Sequence, residues 1–402
     1  MSKIKSSWPN FSKEESEKVK KVILSNKVNY WTGEECRKFE QEFSTFADVK
    51  YSVAVANGTV ALDLALKALN IGHGDEVIVT SRSFIASVSS IVNSGATPIF
   101  SDICENSQNI KTSNIKQLIT SKTKAILCVH LAGYPCEMNN INKLASSKSL
   151  FVIEDCAQAH GAKYMGKSVG SFGDIGCWSF CQDKIMTTGG EGGMVTTNNQ
   201  KLWKKMWSYK DHGKSFDSVY NKVHPKGFRW LHDDFGTNWR MLEIQACIGR
   251  IQLKKMKTWT RKRNNNQNKI WSTCSKFNSI RVPKFNNKSW EGYHRGNIHA
   301  GYKCYVFVKP EFLKKDWNRD RIIKALHSKG VDCFSGSCSE IYLEKAFDGT
   351  KFRPKKRLTV AKELGETSLM FLIHPNLTNS EMKLTCDLIE EVLKDATVKG
   401  QV

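Results

Sequence analysis

The chain has 402 residues, enough for two domains and a large core, and it contains no run of about 18 apolar residues, which excludes a membrane-spanning reading. Its 13 cysteines are scattered, odd in number and without a Cys-x-x-Cys pair; they argue against a zinc ribbon or a disulfide framework and for a reducing compartment. Lys and Arg number 61 against 39 Asp and Glu, so the net charge of +22 places polyanions among the partners to be weighed.

In chain order, the Met1-Ser-Lys-Ile-Lys5 start lacks an apolar signal region, and a cytoplasmic protein is expected. Ser12 with Glu15 forms a capping-box pattern ahead of Val19, Val22 and Ile23, predicting a helix that ends near Asn26-Lys27. Residues 1–36 thus read as an N-terminal arm. From 37 to 250, strand candidates recur at Val53–Ala56, Glu76–Thr80, Pro98–Ser101, Ala125–His130, Phe151–Asp155, Ile175–Phe180 and Met194–Thr197, with helical patterns between most of them. Such alternation predicts an α/β fold: a three-layer α/β/α large domain around a mostly parallel seven-stranded sheet.

The segment Asp211–Asp234 reads as an irregular excursion, and His212 and His232 there read as surface or structural residues before they read as substrate contacts. Leu242–Lys257 carries a helical apolar stripe that bridges to the remainder, 251–402. That remainder shows strands at Cys304–Val308 and Val331–Phe334 and helices at Arg319–Ser328 and Glu381–Lys394, the pattern of a smaller α+β C-terminal domain. Between Lys254 and Lys288 the sequence has many Lys and Arg and no Asp or Glu, with Trp259, Trp271 and Phe277 interspersed. The Asn264-Asn-Asn266 run points to a biased, solvated surface, and nucleic acid is not the expected partner.

Three stretches carry chemistry. Lys184 stands between an apolar run and Gly189, Gly190, Gly192 and Gly193, on tightly folded backbone where a flat ligand can approach. An unprotonated lysine amine attacks carbonyls to form a Schiff base, the linkage by which pyridoxal phosphate is held; most lysines near loops are simply solvated. Asp155 closes an apolar strand at the sheet edge where ligands bind, so it can hold the pyridine nitrogen of that cofactor or merely cap the next helix. Asn57-Gly58-Thr59 joins a strand to the helix of Leu62, Ala65, Leu66 and Leu69, a phosphate cradle in form but common to many strand-turn-helix units. Ser179 can add a hydroxyl there or be an ordinary strand serine.

Taken together with further ordered motifs, these residues resemble the DegT/StrS family of sugar aminotransferases, fold type I enzymes dependent on pyridoxal 5'-phosphate. The matches run along nearly the whole chain: Trp31-Thr-Gly33, Asn57-Gly-Thr59, Gly74-Asp-Glu-Val-Ile78, Gly95-Ala-Thr-Pro98, His130-Leu-Ala-Gly133, Glu154-Asp-Cys-Ala-Gln-Ala159, Gly170-Ser-Phe-Gly-Asp174, Lys184 with Gly190-Glu-Gly-Gly193, and Asn238-Trp-Arg-Met241. The resemblance implies that Lys184 is the Schiff-base lysine, Asp155 the pyridine partner and Gln158 the neighbour of the ring's phenolic oxygen. It implies that Phe84 stacks on the ring, that Gly58, Thr59 and Ser179 contact the phosphate, and that Asn238 reaches across a homodimer interface to the partner's phosphate. No metal is implied. An arm like 1–36 would cross to the small domain or close the site, with Thr32 and Gly33 near substrate. The implied reaction is transamination of a nucleotide-linked keto-deoxy sugar, with L-glutamate the expected amino donor, for surface polysaccharide. Amination of a small phosphorylated ketone, sugar dehydration, or a regulatory or nucleic-acid-binding role are the alternatives. Dehydratases of this kind resemble the family with a histidine in place of the lysine. Ser81-Arg82 and the Pro135-Cys136-Glu137 turn depart from the family pattern and leave substrate contacts open.

Overall fold

The computed structural model describes residues 4–285 and 295–398. In chain order the elements are α1 (Lys13–Leu24), α2 (Glu35–Phe46), β1 (Tyr51–Val55), α3 (Gly58–Ala68), β2 (Glu76–Thr80), α4 (Ala86–Asn93), β3 (Thr97–Ser101), α5 (Thr112–Leu118), β4 (Thr123–Val129), α6 (Met138–Ser147) and β5 (Phe151–Asp155). There follow a hairpin of β6 (Lys163–Tyr164) and β7 (Lys167–Ser168), then β8 (Ile175–Ser179), β9 (Gly193–Thr197), α7 (Gln200–Tyr209), α8 (Phe216–Tyr220) and α9 (Glu243–Cys274). The chain closes with β10 (Ile280–Arg281), β11 (Cys304–Val308), α10 (Arg319–Ser328), β12 (Cys333–Phe334), α11 (Thr359–Thr367), β13 (Ser368–Phe371) and α12 (Asn379–Ala396).

Seven strands form one sheet in the order β1-β9-β8-β5-β4-β2-β3. Only β9 runs against its neighbours; the rest are parallel, as alternating strands and helices require. Successive side chains on each strand serve opposite layers. Val77, Val79, Leu127, Val129 and Ile153 pack with Leu62 of α3, Val88 of α4 and Met206 of α7. On the other face, Ile78, Ile126 and Val152 meet Met138 and Ile141 of α6, while Ala54, Trp178 and Met194 meet Phe39 and Phe43 of α2 and Ala246 of α9. Phe39 and Phe43 are fully buried, and each contributes about 2 kcal/mol by leaving water.

The helix expected to end at Lys257 instead runs to Cys274, 32 residues in all. Its second half buries Arg263, Asn266, Gln267, Ile270 and Cys274. Polar residues continue the inward stripe there, so a hydrophobic pattern stops registering it although the backbone continues. The basic run therefore lies largely on one long helix, which spans about 48 Å; its last member, Lys288, falls outside the described residues. The far end of α9 packs on a four-stranded antiparallel sheet, β10-β11-β13-β12, whose core joins Ile270, Val306, Ile322, Leu326, Leu369 and Ile389. Strand β13 and helix α11 had no clear sequence signal.

The unusual Ser81-Arg82 pair does structural work. Arg82 is fully buried and donates to Ser339 Oγ at 2.6 Å and Ser368 Oγ at 2.8 Å, tying the loop after β2 to the C-terminal sheet. The N-terminal segment docks on the same C-terminal unit: Ser6 gives its N–H and its hydroxyl to Glu381 on α12. Thr32 and Gly33 do not line the cavity described below; Gly33 lies against Glu243 at the start of α9.

Candidate active site

Because β5 and β8 are adjacent and parallel, their carboxyl ends open on one edge of the sheet, the edge at which ligands bind in such folds. A cavity of about 850 Å³ lies there, lined by Gly58, Thr59, Phe84, Asp155, Gln158, Ser179 and Lys184. Residues spread over more than a hundred positions of sequence thus meet in one place. Asn238 does not join them. It is exposed in the loop before α9, its backbone bridging to Asp211. His212 and His232 are likewise exposed and away from this cavity.

One end of the cavity is a helix start. The Asn57 side chain caps α3 by accepting from the Val60 N–H at 3.0 Å, which leaves the N–H groups of Gly58 and Thr59 facing the opening. Gly58 is packed so closely against β8 that a Cβ would sit 2.5 Å from Ser179 Cβ. Amides, dipole and two hydroxyls at one point suit a phosphate.

At the floor, Asp155 accepts from Ser87 Oγ at 2.7 Å and from the Ala157 N–H at 3.1 Å. Burial pushes its carboxyl above the usual range, with Ser87 and Ala157 pulling the other way. A buried carboxylate so placed favours a cation delivered to it. Gln158 accepts from the Ala132 N–H at 2.8 Å through its carbonyl oxygen, so its amide N–H groups are what it presents to a ligand. Phe84 is 67% exposed, a flat apolar face on the cavity wall.

Lys184 follows β8 in a turn closed by its own N–H on Cys181 O, and the glycines beyond it do what their type allows: Gly189 and Gly190 take positive φ of 89° and 123°. The ammonium lies 3.5 Å from Asp183 Oδ1 and 5.3 Å from the Tyr302 ring centre. Tyr302 donates its hydroxyl to the other Asp183 oxygen. Burial opposes ionisation of Asp183, yet Lys184 and Tyr302 hold its carboxyl below the usual range.

Sequence reasoning missed Ser87, Asp183, Tyr302 and Lys303 in this site. Ser87 is the second residue of α4, a helix with no motif of its own, and Asp183 was visible only as the neighbour of Lys184. Tyr302 and Lys303 come from the edge of β11, and no local pattern marks a residue delivered by a separate sheet.

Below the floor, His130, Glu154 and Cys156 cluster in a way that could hold a metal ion. The Glu154 oxygens are already taken by His130 Nε2 and by the N–H groups of Gly170, Phe172 and Gly173 at 2.6–3.0 Å, so the cluster reads as a polar clamp on the loop before β8.

A match to the DegT/DnrJ/EryC1/StrS aminotransferase family extends over residues 9–390. The chain belongs to that family. It is 46% identical over 395 residues to the GDP-perosamine synthase of Escherichia coli O157:H7, covering 96% of this chain and 98% of that one. Among solved structures it is similar to the aminotransferase from Psychrobacter cryohalolentis, with 58% identity, a TM-score of 0.95 and coverage of 97% and 99%. It is also similar to S. venezuelae DesV in complex with a ketimine intermediate, at 28% identity and a TM-score of 0.83 over 95% and 94% of the two chains. The expected fold and the expected enzyme class, an aminotransferase, therefore hold. Among the described residues no helix is long and apolar enough to cross a membrane.

Proposed function

We propose that this aminotransferase uses pyridoxal 5'-phosphate to transfer an amino group from a small amino acid, L-glutamate first among them, to the keto group of a nucleotide-linked deoxy sugar. The observation that carries this reading is the convergence on one cavity of a helix-start phosphate cradle at Gly58, a buried carboxylate at Asp155, a lysine at 184 and an open aromatic face at Phe84. These residues fit that cofactor at both its ends, phosphate and ring nitrogen.

Bound there, the cofactor supplies an electron sink that lets a proton leave the Cα of an amine. The protein's own residues do the rest. The amides of Gly58 and Thr59 with Ser179 would hold the phosphate; Asp155, fixed by Ser87, would keep a proton on the ring nitrogen; Gln158 would donate to the ring oxygen; and Phe84 would offer its face to the ring and exclude water from it. Lys184 would take the proton from the substrate Cα and return it two atoms along, on the far side of the linking nitrogen, a general base and acid in turn. Asp183 and Tyr302 steer its amine. One base suffices for both halves of the reaction because the second half reverses the first on the keto sugar.

A GDP-linked keto sugar is the first substrate to test, since the similar E. coli O157:H7 protein is a GDP-perosamine synthase. The positive charge of the chain favours an anionic nucleotide of any base. Lys184 in the cavity, where the dehydratases carry histidine, speaks for amination over dehydration.

A homodimer with shared sites belongs to the same reading. The loop before α9 holds Phe228, Trp230 and Phe235 at 81%, 85% and 94% exposure, an apolar surface a lone chain in water does not favour, and exposed Asn238 follows it directly. All thirteen cysteines are free, which accords with a cytoplasmic setting. The decisive experiment is an absorbance spectrum of the purified protein before and after L-glutamate. The expected result is a visible band near the violet edge that shifts to the ultraviolet. Absence of any cofactor band after pyridoxal 5'-phosphate is supplied removes the proposal.

A further inference from the structure

Behind the active-site cavity lies a second one of about 290 Å³, sharing with it the wall of Asp183, Tyr302 and Lys303. Its other side is made by Arg263 of α9, His374 and the N-terminal segment from Ile4 to Trp8. Arg263 is 2% exposed, and its Nε and Nη2 have no hydrogen-bond partner among the described residues; Nη1 alone donates, to Gly301 O at 3.4 Å. The Trp8 ring covers the guanidinium at 4.9 Å, and the Trp8 indole N–H donates to the backbone carbonyl of Lys184 at 2.8 Å.

A buried guanidinium with one long hydrogen bond and no counter-charge is a costly arrangement that proteins avoid unless something supplies the missing charge. Among the described residues no carboxylate pairs with Arg263, and Lys303, the second cation of this cavity, has only the attraction of Asp183, which it shares with Lys184. Asp183 is committed to Lys184 and Tyr302, and Asp332 on the cavity rim is exposed. Planar, forked N–H donors next to an ammonium are matched to a carboxylate. The space admits a small organic acid and is far too small for a sugar nucleotide.

We infer that this cavity is a carboxylate-binding subsite for a small dicarboxylic acid, held by Arg263 and Lys303 and lying one side chain away from Lys184. The inference deepens the proposed function, on which it rests for its occupant: the amino donor or the oxo acid left from it. The segment Ile4–Trp8, pinned by Glu381 through Ser6, roofs the subsite. Seating an acid there also touches the segment that holds the Lys184 backbone.

Glutarate, a dicarboxylate that cannot donate an amine, tests the subsite without turnover. Calorimetric titration of the cofactor-loaded protein should show binding, and Arg263→Met should weaken it by at least about tenfold, since a charge-assisted pair is lost. Arg263→Lys should recover part of the affinity. In the absence of glutarate, Arg263→Met should melt no lower than the parent, because it removes an unpaired buried charge, whereas a purely structural arginine would lower the melting temperature. No binding by the parent at about 10 mM glutarate, or equal binding by Arg263→Met, overturns the inference. Should Arg263→Met fail to fold, Lys303→Met decides in its place, and unchanged affinity there overturns it equally. If glutarate binds through Arg263 but no amino donor shifts the cofactor band, transamination falls and the subsite stands.

Discussion

Gly58 and Ser179 touch across the top of the sheet so closely that a methyl group on one would lie 2.5 Å from the Cβ of the other. The contact brings the start of α3 against the end of β8, and it leaves a gap lined by N–H and O–H groups rather than by side-chain carbon. Gly58→Ala should therefore shift α3 or β8, destabilise the fold by about 1–3 kcal/mol and open the cradle. Loss of bound cofactor on gel filtration, compared with the milder Ser179→Ala, checks it. Full cofactor retention by Gly58→Ala would contradict the placement of the phosphate.

Lys184→Ala should remove the visible absorbance band and lower transamination by about a thousandfold or more, because it removes both the Schiff-base amine and the proposed base. Single-turnover assays with glutamate and with pyridoxamine phosphate plus a keto sugar separate the two halves. Both halves should fall together; survival of either would assign the proton transfer elsewhere.

Asp155→Asn tests the charge at constant volume. Burial raises the carboxyl in the folded state, so between the ordinary carboxylate value and the raised one the native state binds more protons than the unfolded chain. Stability of the cofactor-free protein should thus fall as pH rises through that window. Asp155→Asn should melt higher than the parent at neutral pH without cofactor, the gap closing towards acid, and should bind pyridoxal 5'-phosphate more weakly. Thermal melts across pH, with and without cofactor, read both signs.

Trp230→Ser with Phe235→Ser should shift the protein towards monomer in sedimentation velocity, as two large exposed apolar side chains are removed. Asn238→Ala, by contrast, should leave the dimer whole and lose activity. Mixing unfolded Asn238→Ala and Lys184→Ala chains and refolding them should restore about a quarter of parental activity, one complete site in each hybrid dimer. No recovery would mean that each site is built from one chain.

Arg82→Ala removes both donors between the loop after β2 and the C-terminal sheet and leaves the hydroxyls of Ser339 and Ser368 buried. A loss of about 2–4 kcal/mol is expected in urea unfolding, with a normal cofactor band.

Much of this protein was legible along the chain. Short apolar runs between helical patterns marked all seven strands of the main sheet, because a strand buried on both faces must be apolar on both. Lys184, Asp155 and Gly58 stood out because their chemistry needs glycine-rich turns or a strand end, and those are local features. Sequence alone also determined the charge, the free thiols and the long apolar stripe that opens α9. Tertiary structure decided the rest. Only folding could show that α9 continues to Cys274 on buried polar residues, that Arg82 serves as a cross-link, and that Tyr302 and Lys303 arrive from a second sheet to close the cavity. It alone also revealed Arg263 buried with Nε and Nη2 unpartnered among the described residues. Hydrophobic periodicity reports which residues leave water, but polar contacts between distant segments depend on positions in space, which no local pattern records.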